Sequence, residues 1–234
     1  MCGCRYYNYI VRLSGGFLDI NMIKNIIFDW SGVINDNRDT SYLVILEMLK
    51  KFNVAPITME KFRTEWEQPY MIFYNKFIPN LTLEEETKVY KEIYTNFAKD
   101  HQPFPYPKMV DMLKKFKHNG IKLIIISSDH PEHLFKEISD FGLNGVFDEI
   151  NSNVHDKSED LVDTIQRNNF NPQETIFIGD TQHEIDAGKS ANLITGAVTW
   201  GIHSRSRLES AKPDYIIDSP DELAELVFGK MNLI

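Results

Sequence analysis

Short apolar runs alternate with amphipathic helical stretches from residue 121 onward, and this alternation limits the fold more than any other feature of the chain. The runs are continuous and rich in Ile and Val, which is typical of parallel strands buried on both faces. Together with one earlier run, they span 24–29, 121–127, 145–150, 174–180, 194–200 and 214–219. Strand–helix alternation of this kind predicts a doubly wound, Rossmann-like α/β parallel sheet.

Residues 37–100 interrupt this alternation. The segment has no strand-like run but shows three helical patterns, near 39–52, 58–77 and 82–99. We therefore predict an α-helical cap over residues 37–100, inserted into an α/β core that comprises residues 22–36 and 101–234. Most aromatic side chains of the insertion are expected to form its own apolar core, with a few left to line a cleft.

Residues 1–21 differ in character from the rest of the chain. They lack the continuous apolar stretch of a signal peptide, and they are too short and polar to span a bilayer. Met22 comes directly before the first strand and is a candidate for the natural start. We expect a disordered N-terminal extension, with a docking tail and a start-site artefact as the alternatives.

The charge and the cysteines narrow the class of protein. With 34 acidic against 25 basic side chains the net charge is −9, which argues against a binder of nucleic acid or anionic membranes, since either needs a basic face. A local basic pocket can still hold a small anionic substrate. The two cysteines, Cys2 and Cys4, leave the body of the chain without a disulfide framework, as expected for a cytoplasmic protein.

Polar residues follow three of the predicted strands at the points where the strands end. Asp29, Ser127 and Asp180 each occupy such a position, and the carboxyl ends of parallel strands meet at one edge of the sheet, where ligands bind. Lys157 and the stretch "GDTQHEID" from Gly179 add a cation and further carboxylates. A nucleophile, a hydroxyl, a cation and metal-binding carboxylates are what phosphoryl transfer requires.

In combination these stretches resemble the haloacid dehalogenase (HAD) superfamily, in its phosphoglycolate phosphatase-like branch with a helical cap. The resemblance covers about residues 22–230 and includes the phrases "LKKFKHNGIKLIIISS", "ETIFIGDTQHEIDAGKSA" and "AVTWGIHSRSRLESAKPDYIIDSPDEL". It implies a hydrolase with Mg²⁺ as its cofactor and a small phosphorylated metabolite as its substrate. A monomer or a homodimer is expected.

The resemblance also assigns roles to residues of this chain. Asp29 would attack phosphorus in line and form an aspartyl-phosphate. Ser127 would hydrogen-bond the phosphoryl group, and Lys157 would neutralise charge on the nucleophile and the phosphate. Gly32 and Ser128 are expected to complete the set of residues that binds the substrate.

A magnesium site is implied by the same resemblance. Mg²⁺ would be held by the carboxylates of Asp29 and Asp180 and by the main-chain carbonyl of Ser31. Glu184, four residues after Asp180, would support the ion directly or through water. Hard oxygen ligands of this kind suit magnesium.

Ser31 departs from the family's pattern, because phosphatases of the superfamily carry a second aspartate at this position. That aspartate protonates the leaving oxygen and later activates water. A serine hydroxyl cannot cycle a proton near neutral pH, and the loss of a general acid–base costs about 10²–10⁴ in rate. We therefore expect a Mg²⁺-dependent phosphomonoesterase with a weakened acid–base step.

Two other functions remain open at this point. The stretch "DWSG" is close to the Asp-Trp-Ala-Gly of phosphonoacetaldehyde hydrolases, which cleave a carbon–phosphorus bond and form a Schiff base on a lysine of the cap. Lys76 is the nearest candidate for that lysine. Alternatively, the chain binds a phosphorylated ligand or another protein without turning anything over.

Overall fold

The structure is a computed structural model that describes residues 10–13, 16–19, 23–100, 102–154 and 156–229. Six strands form one sheet: β3 (Asn25–Phe28), β4 (Lys122–Ile126), β5 (Glu149–Asn151), β6 (Thr175–Gly179), β7 (Ile194–Val198) and β8 (Tyr215–Ile217). Their order across the sheet is β5–β4–β3–β6–β7–β8, and every pairing is parallel. The predicted doubly wound, Rossmann-like sheet is confirmed.

The direction in which strands are added reverses at β3. After β3 the chain builds β4 and β5 on one side, and it then returns to build β6, β7 and β8 on the other. In open α/β sheets, ligands bind in the crevice at such a switch point, outside the carboxyl ends of the strands. Asp29 follows β3 and Asp180 follows the neighbouring β6, so the two carboxylates reach this crevice side by side.

One predicted strand is mostly wrong. Of the apolar run 145–150, only Glu149 and Ile150 belong to β5, whereas residues 144–146 form a turn. Gly145 has a φ of +75°, a left-handed conformation that glycine adopts readily and an extended strand does not contain. Val146 and Phe147 are nevertheless buried in the core, which explains why the run looks like a strand in the sequence.

The segment between β3 and the rest of the sheet begins with four helices: α1 (Arg38–Lys51), α2 (Met59–Glu65), α3 (Tyr70–Phe77) and α4 (Leu83–Asp100). Their buried apolar side chains form a cluster distinct from the sheet's core, to which the core contributes Ile202; it includes Val44, Met48, Leu49, Phe62, Phe73, Tyr74 and Ile93. Much of the aromatic content of this segment is therefore packed internally. We call residues 38–100 the helical segment.

The pattern near 58–77 predicts one helix, and this prediction is wrong, because the structure has two. Trp66 leaves the helical conformation with a ψ of 133° at the end of α2, and Pro69 is the N-cap of α3. Proline lacks a backbone N–H and disfavours the helical conformation in the residue before it. The interruption matters for the site, because Trp66 and Gln68 in this connection line the cavity described below.

The remaining helices cover both faces of the sheet: α5 (Met109–His118), α6 (Pro131–Asp140), α7 (Lys157–Asn168), α8 (Gln182–Ser190), α9 (Arg205–Ser210) and α10 (Pro220–Phe228). Successive side chains of a strand point to opposite faces. Ile26 and Phe28 accordingly pack with α5, α6 and α10, and Ile27 packs with α7 and α8. Among the described residues, no helix has the length and apolar character needed to cross a membrane.

Two short strands precede the sheet. Ile10–Leu13 (β1) and Gly16–Asp19 (β2) pair in antiparallel fashion, which differs from the disorder expected for residues 1–21. The two strands contain Ile, Val, Leu and Phe, residues that fit a pleated strand better than a solvated coil. The other residues of 1–21 lie outside the part of the chain that the structure describes.

Candidate active site

A cavity of about 340 Å³ lies between the carboxyl edge of the sheet and the helical segment. The core contributes these residues to its wall: Asp29, Ser31, Ser128, Asp129, Lys157, Asp180, Thr181 and Glu184. Six of the eight residues predicted for the site are among them. The other two, Gly32 and Ser127, are buried and do not line the cavity.

Lys157 is the first residue of α7 and is buried at the cavity wall. Its ammonium nitrogen Nζ lies 2.6 Å from Asp29 Oδ1 and 3.0 Å from Glu184 Oε1. Asp29 is 5% exposed and Glu184 is 1% exposed. One buried ammonium therefore joins the carboxylate at the end of β3 to a carboxylate of α8.

The pKa values of these groups show how strongly they interact. Burial raises the pKa of Asp29 to about 7, and the contact with Lys157 only partly offsets this effect. Burial and the charges of Glu184 and Asp29 raise the pKa of Asp180 well above its usual range. Burial alone would lower the pKa of Lys157, but Asp29 and Glu184 outweigh it and raise this pKa. Three buried carboxylates thus share one buried ammonium.

This excess of negative charge fits a divalent cation. Asp29, Asp180 and Glu184 each offer a carboxylate oxygen, and these oxygens lie within 4.8 Å of one another. A donor set made only of oxygens suits Mg²⁺. A bound cation would also relieve the repulsion that raises the pKa of Asp180, because an ion is often the largest charge in such a site.

Glu184 already has protein partners for both of its carboxylate oxygens. It belongs to the capping box of α8, in which Oε2 accepts hydrogen bonds from the backbone N–H (2.9 Å) and the hydroxyl (2.6 Å) of Thr181. Its Oε1 accepts the bond from Lys157. Burial would raise the pKa of Glu184, but Lys157 and Thr181 lower it, so Glu184 stays ionised. This arrangement favours support of a cation through water over direct ligation.

Gly32 has a packing role that its sequence position does not reveal. Its φ is +80°, and a Cβ atom at this position would lie 2.2 Å from Asp180 Oδ2. Gly201 approaches Asp180 from another loop, where a Cβ atom would lie 2.3 Å from both Cβ and Oδ2 of Asp180. The same Oδ2 accepts a 2.6 Å hydrogen bond from the backbone N–H of Ile202. The two glycines therefore make room for the Asp180 carboxylate and fix its position.

Asp129 is a site residue that the sequence analysis missed. Its Oδ2 accepts hydrogen bonds from the hydroxyls of Ser31 (2.8 Å) and Ser127 (2.9 Å). It thereby links Ser31, in the turn after β3, to the end of β4. The signal was present in "SSD", because an aspartate two residues after a strand-end serine can bond back to it. Only the pairing of β3 with β4, however, shows that Ser31 is the second partner.

Comparison with known proteins agrees with this geometry. A family model described as haloacid dehalogenase-like hydrolase matches residues 26–198. The chain belongs to this family. A pyrophosphatase, PpaX, from Oceanobacillus iheyensis is 26% identical over 217 residues, which cover 88% of this chain and 97% of that protein. A phosphoglycolate phosphatase from Aquifex aeolicus is 26% identical over 211 residues, which cover 88% of this chain and 97% of that protein.

Solved structures show the same fold. A haloacid dehalogenase-like family hydrolase from Streptococcus pneumoniae superimposes with a TM-score of 0.70 at 20% identity, and the match covers 86% of this chain and 96% of that one. A protein described as a predicted phosphatase from Clostridium acetobutylicum gives 0.69 at 22% identity, with 87% and 97% covered. At these identities the likeness concerns the fold alone.

The "DWSG" stretch of this haloacid dehalogenase-like hydrolase does not place its tryptophan in the cavity. Trp30 is fully buried in the core, where its Nε1 donates a 2.6 Å hydrogen bond to Glu137. Lys76, the nearest candidate for a Schiff-base lysine, does not line the cavity, and its Nζ lies 3.1 Å from both Glu65 and Glu67. Burial would lower the pKa of Lys76, but these contacts raise it. An amine nucleophile needs the opposite shift.

His203 connects the helical segment to the loop that carries Asp180. Its Nδ1 accepts a 2.9 Å hydrogen bond from the backbone N–H of Gln182, so in the neutral ring Nε2 carries the proton and donates it to the carbonyl of Trp66 at 2.9 Å. Burial, followed by the charge of Arg207, lowers the pKa of His203 to about 4. The ring is therefore neutral near pH 7. No feature of the sequence points to this connection.

Proposed function

We propose that this chain is a Mg²⁺-dependent phosphomonoesterase that acts through an aspartyl-phosphate on Asp29. The observation that carries the proposal is the contact between buried Asp29 and buried Lys157, 2.6 Å apart, at the wall of a cavity that Asp180 also lines. A fixed cation beside the nucleophile can stabilise the charge of a phosphoryl group without reorganisation. The names of the curated relatives, a pyrophosphatase and a phosphoglycolate phosphatase, support phosphoryl chemistry.

The proposed reaction has two steps. A carboxylate oxygen of Asp29 bonds to phosphorus while the bond from phosphorus to the ester oxygen breaks, and the ester oxygen takes a proton from solvent and leaves as an alcohol. Water then attacks the phosphorus of the aspartyl-phosphate and its bond to Asp29 breaks; one proton of that water returns to solvent, the other stays on the released phosphate, and the carboxylate of Asp29 is restored. Lys157 keeps its proton throughout and offers its charge to the phosphoryl oxygens.

The metal ligands proposed are Asp29, Asp180 and the main-chain carbonyl of Ser31, with Glu184 as support. When bound, Mg²⁺ would supply positive charge for the phosphoryl oxygens. Lys157 and the ion would then share the charge of the substrate.

Two serines are proposed to bind the phosphoryl group. The hydroxyl of Ser127 donates to Asp129, so its contact with the phosphoryl group requires that it exchange this bond. Ser128 is exposed and lines the cavity, and it can donate without such an exchange. Gly32 would act through its packing against Asp180 rather than by contact with the substrate.

We further propose that residues 37–100 form a cap over a core made of residues 22–36 and 101–234. The separate apolar cluster of the helical segment supports this division, as does a cavity with walls from both parts. A cap that closes over the substrate excludes water and completes the site.

Ser31 makes the rate sensitive to the leaving group, and this is the first testable consequence. Aryl and acyl phosphates are expected to turn over at least about 10²-fold faster than alkyl phosphates, because a good leaving oxygen departs without a general acid. The measurement is kcat across esters of graded leaving-group pKa. Equal rates across this series would contradict the weakened acid–base step.

The same weakness predicts that the phosphoenzyme accumulates with aryl phosphates, since activation of water in the second step is slowed too. Acid quenching during turnover, followed by mass spectrometry of the peptide that contains Asp29, would detect it. A phosphoryl group found on any other residue would contradict the assignment of Asp29.

The carbon–phosphorus hydrolase alternative has little structural support. Its Schiff base needs a neutral lysine in contact with the substrate, whereas Lys76 is paired with two glutamates outside the cavity. Among the described residues, Lys157 is the lysine that lines the cavity, and its pKa is raised. Borohydride trapping of phosphonoacetaldehyde on any lysine would restore this alternative.

A further inference from the structure

The helical segment gives the cavity an aromatic wall. Trp66, Tyr70, Tyr74 and Tyr90 all line it. The Tyr70 and Tyr74 rings pack edge to face with their centroids 6.4 Å apart. Tyr70 and Tyr90 keep about two-fifths of their surface exposed, so their rings are available for contact with a ligand.

A buried carboxylate lies in this aromatic wall. Glu86, in the first turn of α4, lines the cavity and is 4% exposed. Its carboxylate oxygen Oε2 accepts a long hydrogen bond, 3.5 Å, from the hydroxyl of Thr87. Among the described residues, no lysine, arginine or histidine forms an ion pair with it. Burial raises the pKa of Glu86 to about 7, which is the expected result for a carboxylate without a cation.

Helix capping does not explain why Glu86 is buried. The capping partner of α4 is Glu85, which accepts hydrogen bonds from the backbone N–H (3.1 Å) and the hydroxyl (2.8 Å) of Thr82. Glu84 and Glu85 are exposed, so both can interact with the helix dipole from water. A buried carboxyl group is normally either paired with a cation or neutralised by a proton. Among the described residues no cation pairs with Glu86, so a cationic ligand in the cavity is the partner that would keep it ionised near pH 7.

The excess of negative charge in the cavity wall also favours a ligand that carries a positive charge. Five carboxylates line it, those of Asp29, Glu86, Asp129, Asp180 and Glu184, against the single ammonium of Lys157. A divalent cation would offset the negative charge of Asp29, Asp180 and Glu184. Glu86 lies instead in the wall that the helical segment contributes. No arginine is among the described residues that line the cavity. A leaving group with a carboxylate or a second phosphate would meet Glu86 without a compensating cation.

We propose that the substrate is a phosphomonoester of an amino alcohol, whose positively charged nitrogen is held by Glu86 and by the partly exposed rings of Tyr70 and Tyr90. Aromatic faces attract organic cations, and a carboxylate among them adds a paired charge. This inference rests on the proposed phosphatase function and specifies its substrate class. The phosphoryl end would lie at Asp29 and Lys157, and the cationic end at Glu86.

The test compares two esters of nearly the same shape, phosphocholine and 3,3-dimethylbutyl phosphate, which differ in the charge of one atom. In the wild type, kcat/KM for phosphocholine is expected to be at least about tenfold higher than for 3,3-dimethylbutyl phosphate, mainly because KM is lower. Glu86→Gln should bring the two values close together. Glu84→Gln, on the same turn but exposed and outside the cavity, should keep both the preference and the hydrolysis of p-nitrophenyl phosphate.

A second variant guards against a folding defect in the first. Tyr70→Leu removes a partly exposed ring and should reduce the preference for phosphocholine without unfolding the segment. Equal kcat/KM for the two esters in the wild type would overturn the proposal, as would a preference that survives Glu86→Gln. Both esters are alkyl phosphates and are expected to turn over at least about 10²-fold more slowly than p-nitrophenyl phosphate, so if neither is hydrolysed the binding measurement below decides.

A binding measurement separates this proposal from the phosphatase function itself. If neither of these two esters is hydrolysed, their affinities for the Asp29→Asn chain with Mg²⁺ are compared by titration calorimetry. Phosphocholine is expected to bind about tenfold tighter, and the Asp29→Asn, Glu86→Gln chain should lose this difference. Equal affinity for the two esters would overturn the cationic subsite whatever the fate of the catalytic proposal.

Discussion

The double variant Ser31→Asp, Asp129→Asn is expected to hydrolyse alkyl phosphates about 10²–10⁴-fold faster than the wild type. The new aspartate would supply the general acid–base that Ser31 cannot provide. The second substitution is needed because the Ser31 hydroxyl lies 2.8 Å from Asp129 Oδ2. Two carboxylates in contact cannot both ionise, and one of them would hold a proton with a strongly raised pKa. The measurement is kcat with an alkyl phosphate at saturating Mg²⁺.

The single variants are the controls for this prediction. Ser31→Asp alone should gain far less than the double variant, because the new carboxylate would share a proton with Asp129. Asp129→Asn alone keeps an oxygen that accepts from Ser31 and Ser127 and should change kcat by less than about tenfold. A double variant no faster than the wild type would show that the missing acid does not limit the rate. A Ser31→Asp variant as fast as the double would contradict the coupling with Asp129.

Lys157→Met is expected to lower kcat by at least about 10²-fold, because it removes a fixed positive charge from the proposed phosphoryl site. It should also reduce the free energy of unfolding by about 3–5 kcal/mol without Mg²⁺, since it leaves Asp29 and Glu184 buried without their cation. Denaturant titration gives this second value. Added Mg²⁺ should restore part of the lost stability, because a cation that binds only the folded state stabilises it.

The matched control for Lys157 is Lys136. Its side chain is 68% exposed and pairs with Asp140 on the surface of α6 at 2.5 Å, and such pairs contribute roughly 0–1 kcal/mol. Lys136→Met should therefore leave both kcat and the free energy of unfolding nearly unchanged. An equal loss of stability in the two variants would show that the buried cluster does not depend on the charge of Lys157.

The sequence was sufficient to predict the sheet and the two aspartates at its edge. Asp29 and Asp180 each end a continuous apolar strand, and parallel strands bring such ends together whatever the rest of the chain does. Lys157 stood out in the sequence only in combination with the other site residues, and its role followed from the resemblance. Its burial depends on α7 beginning at that residue, beside β3 and α8.

The interactions that the sequence did not reveal are those between segments far apart in the chain. The second partner of Asp129 is Ser31, 98 positions away, and the bond exists because β3 pairs with β4. Glu86 reads in the sequence as one of three acidic residues in a helix's first turn, and only packing distinguishes it from Glu84 and Glu85. Hydrophobic periodicity predicts which face of a helix is buried, but it does not predict which residues that face contacts.

The helical segment was the least predictable part of the chain. Its aromatic spacing suggested one helix over 58–77, whereas the chain leaves the helix at Trp66 and begins another after Pro69. The connection is held by contacts from the core, since His203 bonds to the carbonyl of Trp66 and Arg63 donates to backbone carbonyls of the His203 loop. Tertiary contacts of this kind override local helical propensity.

The most direct test of the central claim is hydrolysis of p-nitrophenyl phosphate by the purified protein, with and without Mg²⁺, beside the Asp29→Asn variant. Turnover that requires Mg²⁺ and disappears in the variant is the predicted result, because Asp29 is proposed both to attack phosphorus and to hold the ion. Turnover that persists in Asp29→Asn, or is the same without Mg²⁺, would contradict the proposed mechanism. No turnover above that of the variant would contradict the phosphatase function itself.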